Sequence, residues 1–454
     1  MSGTLGRGDR APSVRALARS AGVSIATVNQ AYLQLERRGL LEARPRSGYY
    51  VAATPQSSPP IPLARAPRGR RPGSVAAEVL DIILGSLRRA DVVALNSAVT
   101  GFTARLNSRL NRLTRQVLRE SPDLPNALVV PPGDDGLRRA VAARLSRSGS
   151  AVDPEHVVIT SGTMDGIVLT LGVLCRPGDT VLVESPTYFG ILQAVEHLRL
   201  RVVEVANRPE TGIDVGAVQD RVARERVAAA VLMPNFNNPT GALTGDDGKV
   251  RLLEVLGAAG VPVVEDDIYG DLHLGDERPR TLASFGTDAR VITCGSVSKT
   301  IALGYRIGWA VSPQFASDIA RAKFCTSVAC PGLQQRVLAR YFESGGYDRF
   351  LRALREELQV DRNRYRDVIA AHFPAGTRVS DPAGGVVLWV QLPGGGDGLA
   401  LFRHALTRGI GIAPGPIFSA KADYRSYVRL AMGAGWDPRV EQALVQLGGL
   451  AGRH

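Results

Sequence analysis

Apolar positions along this chain change their spacing several times, and each change marks a different kind of element. Ala16 to Ser20 reads as a helix closed by the turn Ala21-Gly22-Val23. Val28, Ala31, Tyr32 and Leu35 then recur at helical spacing behind Ser24, a natural N-cap. Leu40-Leu41-Glu42-Ala43, followed by Arg44 to Val51, reads as a hairpin. From Thr54 to Gly73, six prolines (Pro55, Pro59, Pro60, Pro62, Pro67 and Pro72) alternate with Ser, Gly and Arg, a composition that gives a semi-extended linker. Helical spacing returns at Val75, Val79, Ile82, Ile83 and Leu87.

From Gly133 to about Pro313, short apolar runs such as Val157-Val158-Ile159, Ala228 to Met233 and Val261 to Val264 alternate with helical patterns, as in an α/β domain. A long charged helix opens at Gly345, Ala383 to Val390 reads as a strand, and Gly394-Gly395-Gly396 as a turn. No repeat at solenoid periods is present. The expected organisation is therefore an N-terminal unit over 1–53, a linker over 54–74 and a body over 75–454. Within the body, a large part spans about 120–313 and a smaller α/β part about 314–454.

Composition agrees with a soluble globular protein: 454 residues, 44% apolar and 22% charged, enough for a large core. The charge is uneven. Residues 1–75 hold twelve arginines, no lysine and only three acids, so nine of the formal +12 fall in one sixth of the chain. A local basic region is what phosphate contacts require.

Cys175, Cys294, Cys325 and Cys330 show no Cys-x-x-Cys spacing, and the six histidines form no cluster, so neither disulfides nor a metal are expected. His273 reads as a polar loop histidine. The apolar runs are too short to cross a membrane and no signal peptide precedes the basic segment, so the expected location is cytoplasmic.

The sharpest chemical signal is lysine scarcity. Only four lysines occur against 51 arginines, and Lys299 closes Ser296-Val297-Ser298-Lys299 with Arg306 seven positions on. A primary amine does chemistry that a guanidinium cannot. Four other segments stand in order around it: Ser161-Gly162-Thr163 after Val157-Val158-Ile159, Tyr188 in Glu184 to Tyr188, Asn238-Pro239-Thr240-Gly241, and Asp266-Asp267-Ile268-Tyr269 after a buried strand. Arg429 follows in Val428-Arg429-Leu430. Singly, these read as a helix cap, a structural aromatic, an ordinary turn, a solvated acidic loop and a surface arginine. Together they span about 270 residues, with strand-like runs before most of them.

In that order they resemble the fold-type I aminotransferases, which implies a large α/β domain with a mostly parallel sheet, a smaller C-terminal α/β domain and pyridoxal 5'-phosphate (PLP) as cofactor. The resemblance implies that Lys299 holds PLP as an aldimine and that Asp266 pairs with its ring nitrogen. Tyr269 and Asn238 would bond its ring oxygen, and Tyr188 would stack on the ring. Gly162, Thr163, Ser296, Ser298 and Arg306 would cradle its phosphate, while Arg429 would grip the carboxylate of an amino acid or amine ligand. A homodimer is also implied. The sequence departs from the family pattern at Leu128, where an aromatic often reaches the partner's phosphate, and at Leu303, where proline is frequent.

The N-terminal unit resembles the GntR-type winged helix-turn-helix, and its union with an aminotransferase-like body resembles the MocR class of regulators, whose partner is operator DNA. Arg15, Ser24, Thr27, Asn29, Arg46 and Gly48 are the expected DNA contacts. Only residues 1–7 precede the first matching segment, so the winged helix is expected to lack its first helix. Two functions fit: a PLP-dependent transcriptional regulator that senses PLP or an amino compound, and a catalytically active aminotransferase with a basic appendage.

Overall fold

The computed structural model describes residues 5, 8–37, 40–44, 47–51, 59–63, 75–86, 88–98, 103–286, 290–301 and 303–453, and the side chains of these except at 75–78 and 103–105. Its N-terminal unit is built on a turn that glycine permits. Helix Val14–Ala21 starts where Ser13 Oγ accepts the Ala16 N–H and ends at Gly22, whose φ of 67° suits a residue without a side chain. Helix Ile25–Arg37 follows, capped by Ser24 Oγ on the Thr27 N–H at 3.0 Å. Strands β1 (Leu41–Arg44) and β2 (Gly48–Val51) pair antiparallel as a wing. Ala11, Ala18, Val28, Tyr32 and Leu41 close a small core, and the Tyr32 hydroxyl donates to the Pro12 carbonyl at 2.8 Å.

Of the proline-rich linker, residues 59–63 are described, and they lie along the edge of the body. The Pro60 carbonyl accepts the Val379 N–H at 2.8 Å, and the Leu63 carbonyl accepts the Tyr427 hydroxyl at 3.0 Å. Helix Val75–Ser86 comes next, then the short strand β3 (Val93–Ala94).

The body is an α/β fold. Strands β4 (Val157–Thr160), β5 (Thr180–Ser185), β6 (Arg201–Arg208), β7 (Gly212–Ile213), β8 (Ala229–Leu232), β9 (Val263–Asp266), β10 (Val291–Ser296) and β11 (Gly308–Val311) form one sheet in the order β4-β11-β10-β9-β8-β5-β6-β7. Its neighbours pair in parallel except where β11 meets β4 and β10 and where β7 meets β6. Strands β4, β5, β8 and β9 are buried along their whole length, which is why they read as continuous apolar runs rather than alternating ones.

A second sheet is antiparallel: β12 (Arg378–Val379), β13 (Val387–Gln391), β15 (Ala413–Pro414) and β16 (Tyr427–Ala431), with β14 (Ile410–Gly411) pairing to β3 outside it. The long helix Gly346–His372 joins the two lobes. Leu351, Leu354 and Leu358 enter the core under the large sheet, whereas Tyr365 and Ile369 enter the core of the small one.

Packing does not follow the linear order at either end of the body. Helices Ala316–Ser327 and Gly332–Glu343 lie on the large lobe, while Val79, Ile83 and Leu95 join the small lobe's core. Periodicity shows which helix face is apolar, not which sheet it covers. The acidic run Glu265-Asp266-Asp267 is buried rather than solvated, and His273 is also buried, its Nδ1 2.8 Å from the Gly275 carbonyl. Among the described residues, no helix is long and apolar enough to cross a membrane and no cluster could hold a metal ion.

Candidate functional site

The C-terminal ends of β4, β5, β8, β9 and β10 open on one side of the large sheet, and the loops leaving them carry most of the motifs. Between these loops and β16 of the small sheet lies a cavity of about 290 Å³. Thr163, Tyr188, Asn238, Asp266, Tyr269, Ser298, Lys299, Arg306 and Arg429 all line it. Residues separated by more than 260 positions in sequence thus meet at one point, as binding sites at strand ends do.

Gly162 and Ser296 stand just behind the wall. Gly162 has φ 101°, and a Cβ there would sit 2.7 Å from Arg306 Nη2, so only glycine admits the guanidinium. Arg306 itself has φ 52°, unusual for a residue with a side chain, and is held by Nη2 on the Ser161 carbonyl (2.8 Å) and Nη1 on Ser298 Oγ (3.3 Å). Of the two motif serines, Ser298 faces the cavity and Ser296 does not. The Ser296 hydroxyl donates to the Ile307 carbonyl at 2.9 Å and accepts the Ser298 N–H at 3.0 Å, so it shapes the turn Val297–Lys299.

Burial shifts several ionisable groups of this pocket. Burial pushes the Asp266 carboxyl up to about 7, against the pull of the Ile268 N–H. Lys299 is brought down to about 8 by burial first and then by Arg429 and Arg306, with Asp266 opposing. Burial likewise raises the Tyr188 and Tyr269 hydroxyls. Four buried polar atoms of residues on the wall have no hydrogen-bond partner among the described residues: Tyr269 Oη, Thr163 Oγ1, Arg429 Nε and Asn96 Oδ1. Unsatisfied buried groups cost stability unless a ligand meets them. Their chemistry fits PLP: a carboxyl for the ring nitrogen, a hydroxyl donor for the ring oxygen, and a helix N-terminus, Thr163 and Arg306 for the phosphate.

Arg429 reaches across from β16. Its Nη1 donates to Asn238 Oδ1 at 3.2 Å and its Nη2 to the Asn96 carbonyl. Glu184, fully buried and pushed up to about 7, stiffens the asparagine loop by accepting from the Met233 N–H and from the side-chain amides of Asn237 (both 2.9 Å) and Asn207 (3.1 Å).

Sequence reasoning missed Asn96 and the pair Ile83 and Leu84, which line the cavity from the segment that follows the linker. No local pattern marks them. It also missed Lys323, fully buried behind Ser161, although the scarcity that singled out Lys299 applies equally to it. In the N-terminal unit, Arg15, Ser24, Thr27, Asn29 and Gly48 are all exposed, with the Ser24 and Thr27 hydroxyls 2.8 Å apart. Arg46 lies outside the described residues.

A pH dependence follows. Glu184, Asp266 and Glu265, the last raised to about 8 by burial, hold protons in the folded chain that the unfolded chain releases near pH 4. Their stabilising effect is complete below about pH 4 and is lost as pH rises through 7 to 8. The melting temperature of the cofactor-free protein is expected to fall between pH 5.5 and 8.5, less steeply in Asp266→Asn. A rise across that window would contradict protonated carboxyls.

Comparison with known proteins matches residues 111–447 to aminotransferase class I and II and residues 1–51 to bacterial regulatory proteins of the gntR family. The HTH-type transcriptional regulator YdcR of Escherichia coli (strain K12) is 34% identical over 99% of this chain and 96% of its own length. YjiR of the same strain, also an HTH-type transcriptional regulator, is 33% identical over 97% and 94%. Among solved structures, the α-aminoadipate aminotransferase LysN of Thermus thermophilus, complexed with N-(5'-phosphopyridoxyl)-L-leucine, is 26% identical with a TM-score of 0.74, covering 84% of this chain and 96% of that one.

Proposed function

Because the chain belongs to the class I and II aminotransferase family and carries a gntR-type regulatory domain ahead of that body, we propose that it binds PLP at Lys299 and couples an amino compound in the cavity to operator DNA. It is a GntR-type regulator fused to an aminotransferase domain, and the members of that aminotransferase family are PLP-dependent. The proposed working form is a cytoplasmic homodimer.

PLP, when bound, supplies a carbonyl carbon open to amines and a ring that withdraws electrons once protonated. The chain's residues do the rest. Lys299 Nζ, with its lowered proton affinity, offers a larger neutral fraction near pH 7 than an exposed lysine would. Asp266 would keep a proton on the ring nitrogen, and Tyr269 Oη would donate to the ring oxygen. Asn238 would offer its amide nitrogen to the same oxygen, its carbonyl being held by Arg429. Thr163, Ser298 and Arg306 would hold the phosphate, and Tyr188 would pack on the ring.

One observation carries the regulatory reading: Arg429 is bonded to the Asn96 carbonyl, and Asn96, Ile83 and Leu84 belong to the segment that the linker leads into. A ligand carboxylate that takes Arg429 releases Asn96, and a ligand side chain presses on Leu84. Both effects reach the element joined to the DNA-binding unit, so ligand binding biases how the reader is held. Amino acids titrated against bound-cofactor absorbance and DNA affinity in parallel test this. Spectral change without any change in DNA affinity would reject it.

A second reading, a working aminotransferase, is favoured by the convergence of Lys299, Asp266, Tyr269, Asn238 and Arg429 on one cavity. Sustained turnover of an amino donor with a keto acid would support it. Failure of every donor to convert bound PLP to its amine form over hours would count against it.

A further inference from the structure

Among the buried cations outside these assignments, Lys323 lies against the cofactor site. Lys323, on helix Ala316–Ser327, has a fully buried side chain, and its Nζ donates to Ser161 Oγ and Asp165 Oδ2, both at 2.8 Å. The same Asp165 oxygen accepts the Ser161 N–H at 2.7 Å, while Arg306 Nη2 donates to the Ser161 carbonyl. The N–H and hydroxyl of Ser161 are therefore held from behind by Asp165 and Lys323, and its carbonyl by Arg306 on the cavity wall, immediately before Gly162 and Thr163. A compact ammonium with three donors suits this enclosed position; a planar guanidinium does not.

Charge gives the lysine a second task. Asp165 lies in the first turn of helix Thr163–Leu174, whose N-terminus is turned toward the cavity. That terminus favours an anion through its free N–H groups and dipole. A carboxylate within the same turn works against a phosphate dianion, and at 25% exposure the Asp165 side chain is only partly screened. Lys323 cancels that charge from the protein side.

We propose that Lys323 is a positioning residue for the phosphate end of the cofactor site: it fixes Ser161 and neutralises Asp165, so that the loop Ser161-Gly162-Thr163 receives a dianion. This rests on the reading of the cavity as a PLP site. The phosphate is the part of the ligand affected, so the effect is expected in the preference for PLP over pyridoxal, which lacks the phosphate.

The test is equilibrium titration of the full-length, cofactor-free protein with PLP and with pyridoxal, followed by absorbance and intrinsic fluorescence. Lys323→Met is expected to weaken PLP binding by about tenfold or more and pyridoxal binding by less than about threefold. Asp165→Asn is expected to raise the PLP-to-pyridoxal preference, and the double variant to return it toward wild type. These opposite signs distinguish charge balance from loss of packing, which would weaken both ligands alike. Equal weakening of both in Lys323→Met, or a fall in preference in Asp165→Asn, would overturn the proposal. If Lys323→Met does not fold, the Asp165→Asn result decides. Wild-type protein that binds PLP and pyridoxal equally would overturn the cofactor reading and this proposal together, whereas a wild-type preference unchanged in the variants overturns this proposal alone.

Discussion

Lys299→Ala is expected to abolish covalent retention of PLP. After borohydride reduction and denaturation, wild-type protein should carry the cofactor mass on the peptide containing Lys299, and the variant should carry none. Lys299→Arg should behave like the alanine variant, because a guanidinium stays protonated and does not supply the neutral amine. The body should remain folded in both. The Lys299 ammonium is disfavoured by burial beside Arg429 and Arg306, so truncation removes a destabilising charge, and the melting temperature of the cofactor-free alanine variant should match or exceed that of wild type. Cofactor mass retained on Lys299→Ala would show that another amine does this work.

Arg278→Ala should produce the largest loss of stability. Arg278 bonds two acids, the buried Asp267 through Nη2 and the partly buried Asp271 through Nε at 2.8 Å. Burial alone would raise the Asp271 carboxyl, yet Arg144 and Arg278 together hold it well below the usual carboxylate range. Removing one partner from such a cluster leaves a charge in a poorly solvated place, at a cost of about 3–5 kcal/mol. The damage should extend to the site. Asp271 Oδ2 accepts the Tyr347 hydroxyl at 3.0 Å, and that hydroxyl lies 2.8 Å from Thr300 Oγ1, next to Lys299. Denaturant titration should show the midpoint falling sharply, with Arg278→Lys recovering only part because it cannot reach both acids as a fork. A loss below about 1 kcal/mol would mean that the cluster is solvated enough to tolerate the gap.

Both predictions rest on residues whose legibility in the sequence was unequal. Asp266 ends its strand, and Lys299 and Asn238 follow theirs by three and six residues; these strands are almost wholly buried, and such strands announce themselves as short apolar runs. The helix-turn-helix was readable for a similar reason: Ser24, Gly22 and the spacing of Val28, Tyr32 and Leu35 are local signals, and local signals survive without knowledge of tertiary packing. Arg429 was legible only through resemblance, since nothing near Val428-Arg429-Leu430 says that β16 faces the large sheet. Ser296 and Ser298 look equivalent in the motif, and only the turn over Val297–Lys299 decides which one faces the cavity.

The parts that escaped sequence reading are contacts between distant segments. Asn96 meets Arg429 from 333 positions away, and Lys323 meets Ser161 from 162. Arg278 reads as one of many arginines in a basic chain, and its importance comes from two carboxylates that folding brings beside it. Leu84 reads as part of an ordinary amphipathic helix, yet it lines the cavity and stays 48% exposed. The regulatory reading depends most on this last group, because these residues join the cavity to the segment that follows the linker.

The most direct test of that reading is binding of the purified protein to the DNA upstream of its own gene, compared with a scrambled duplex at physiological salt. It should be run without PLP, with PLP, and with PLP plus an amino acid that changes the bound-cofactor spectrum. The account predicts sequence-specific binding whose affinity shifts with PLP or with the amino acid, and a lower salt slope in Arg15→Ala. Equal, weak binding to both duplexes under all three conditions would contradict it and leave the aminotransferase reading in its place.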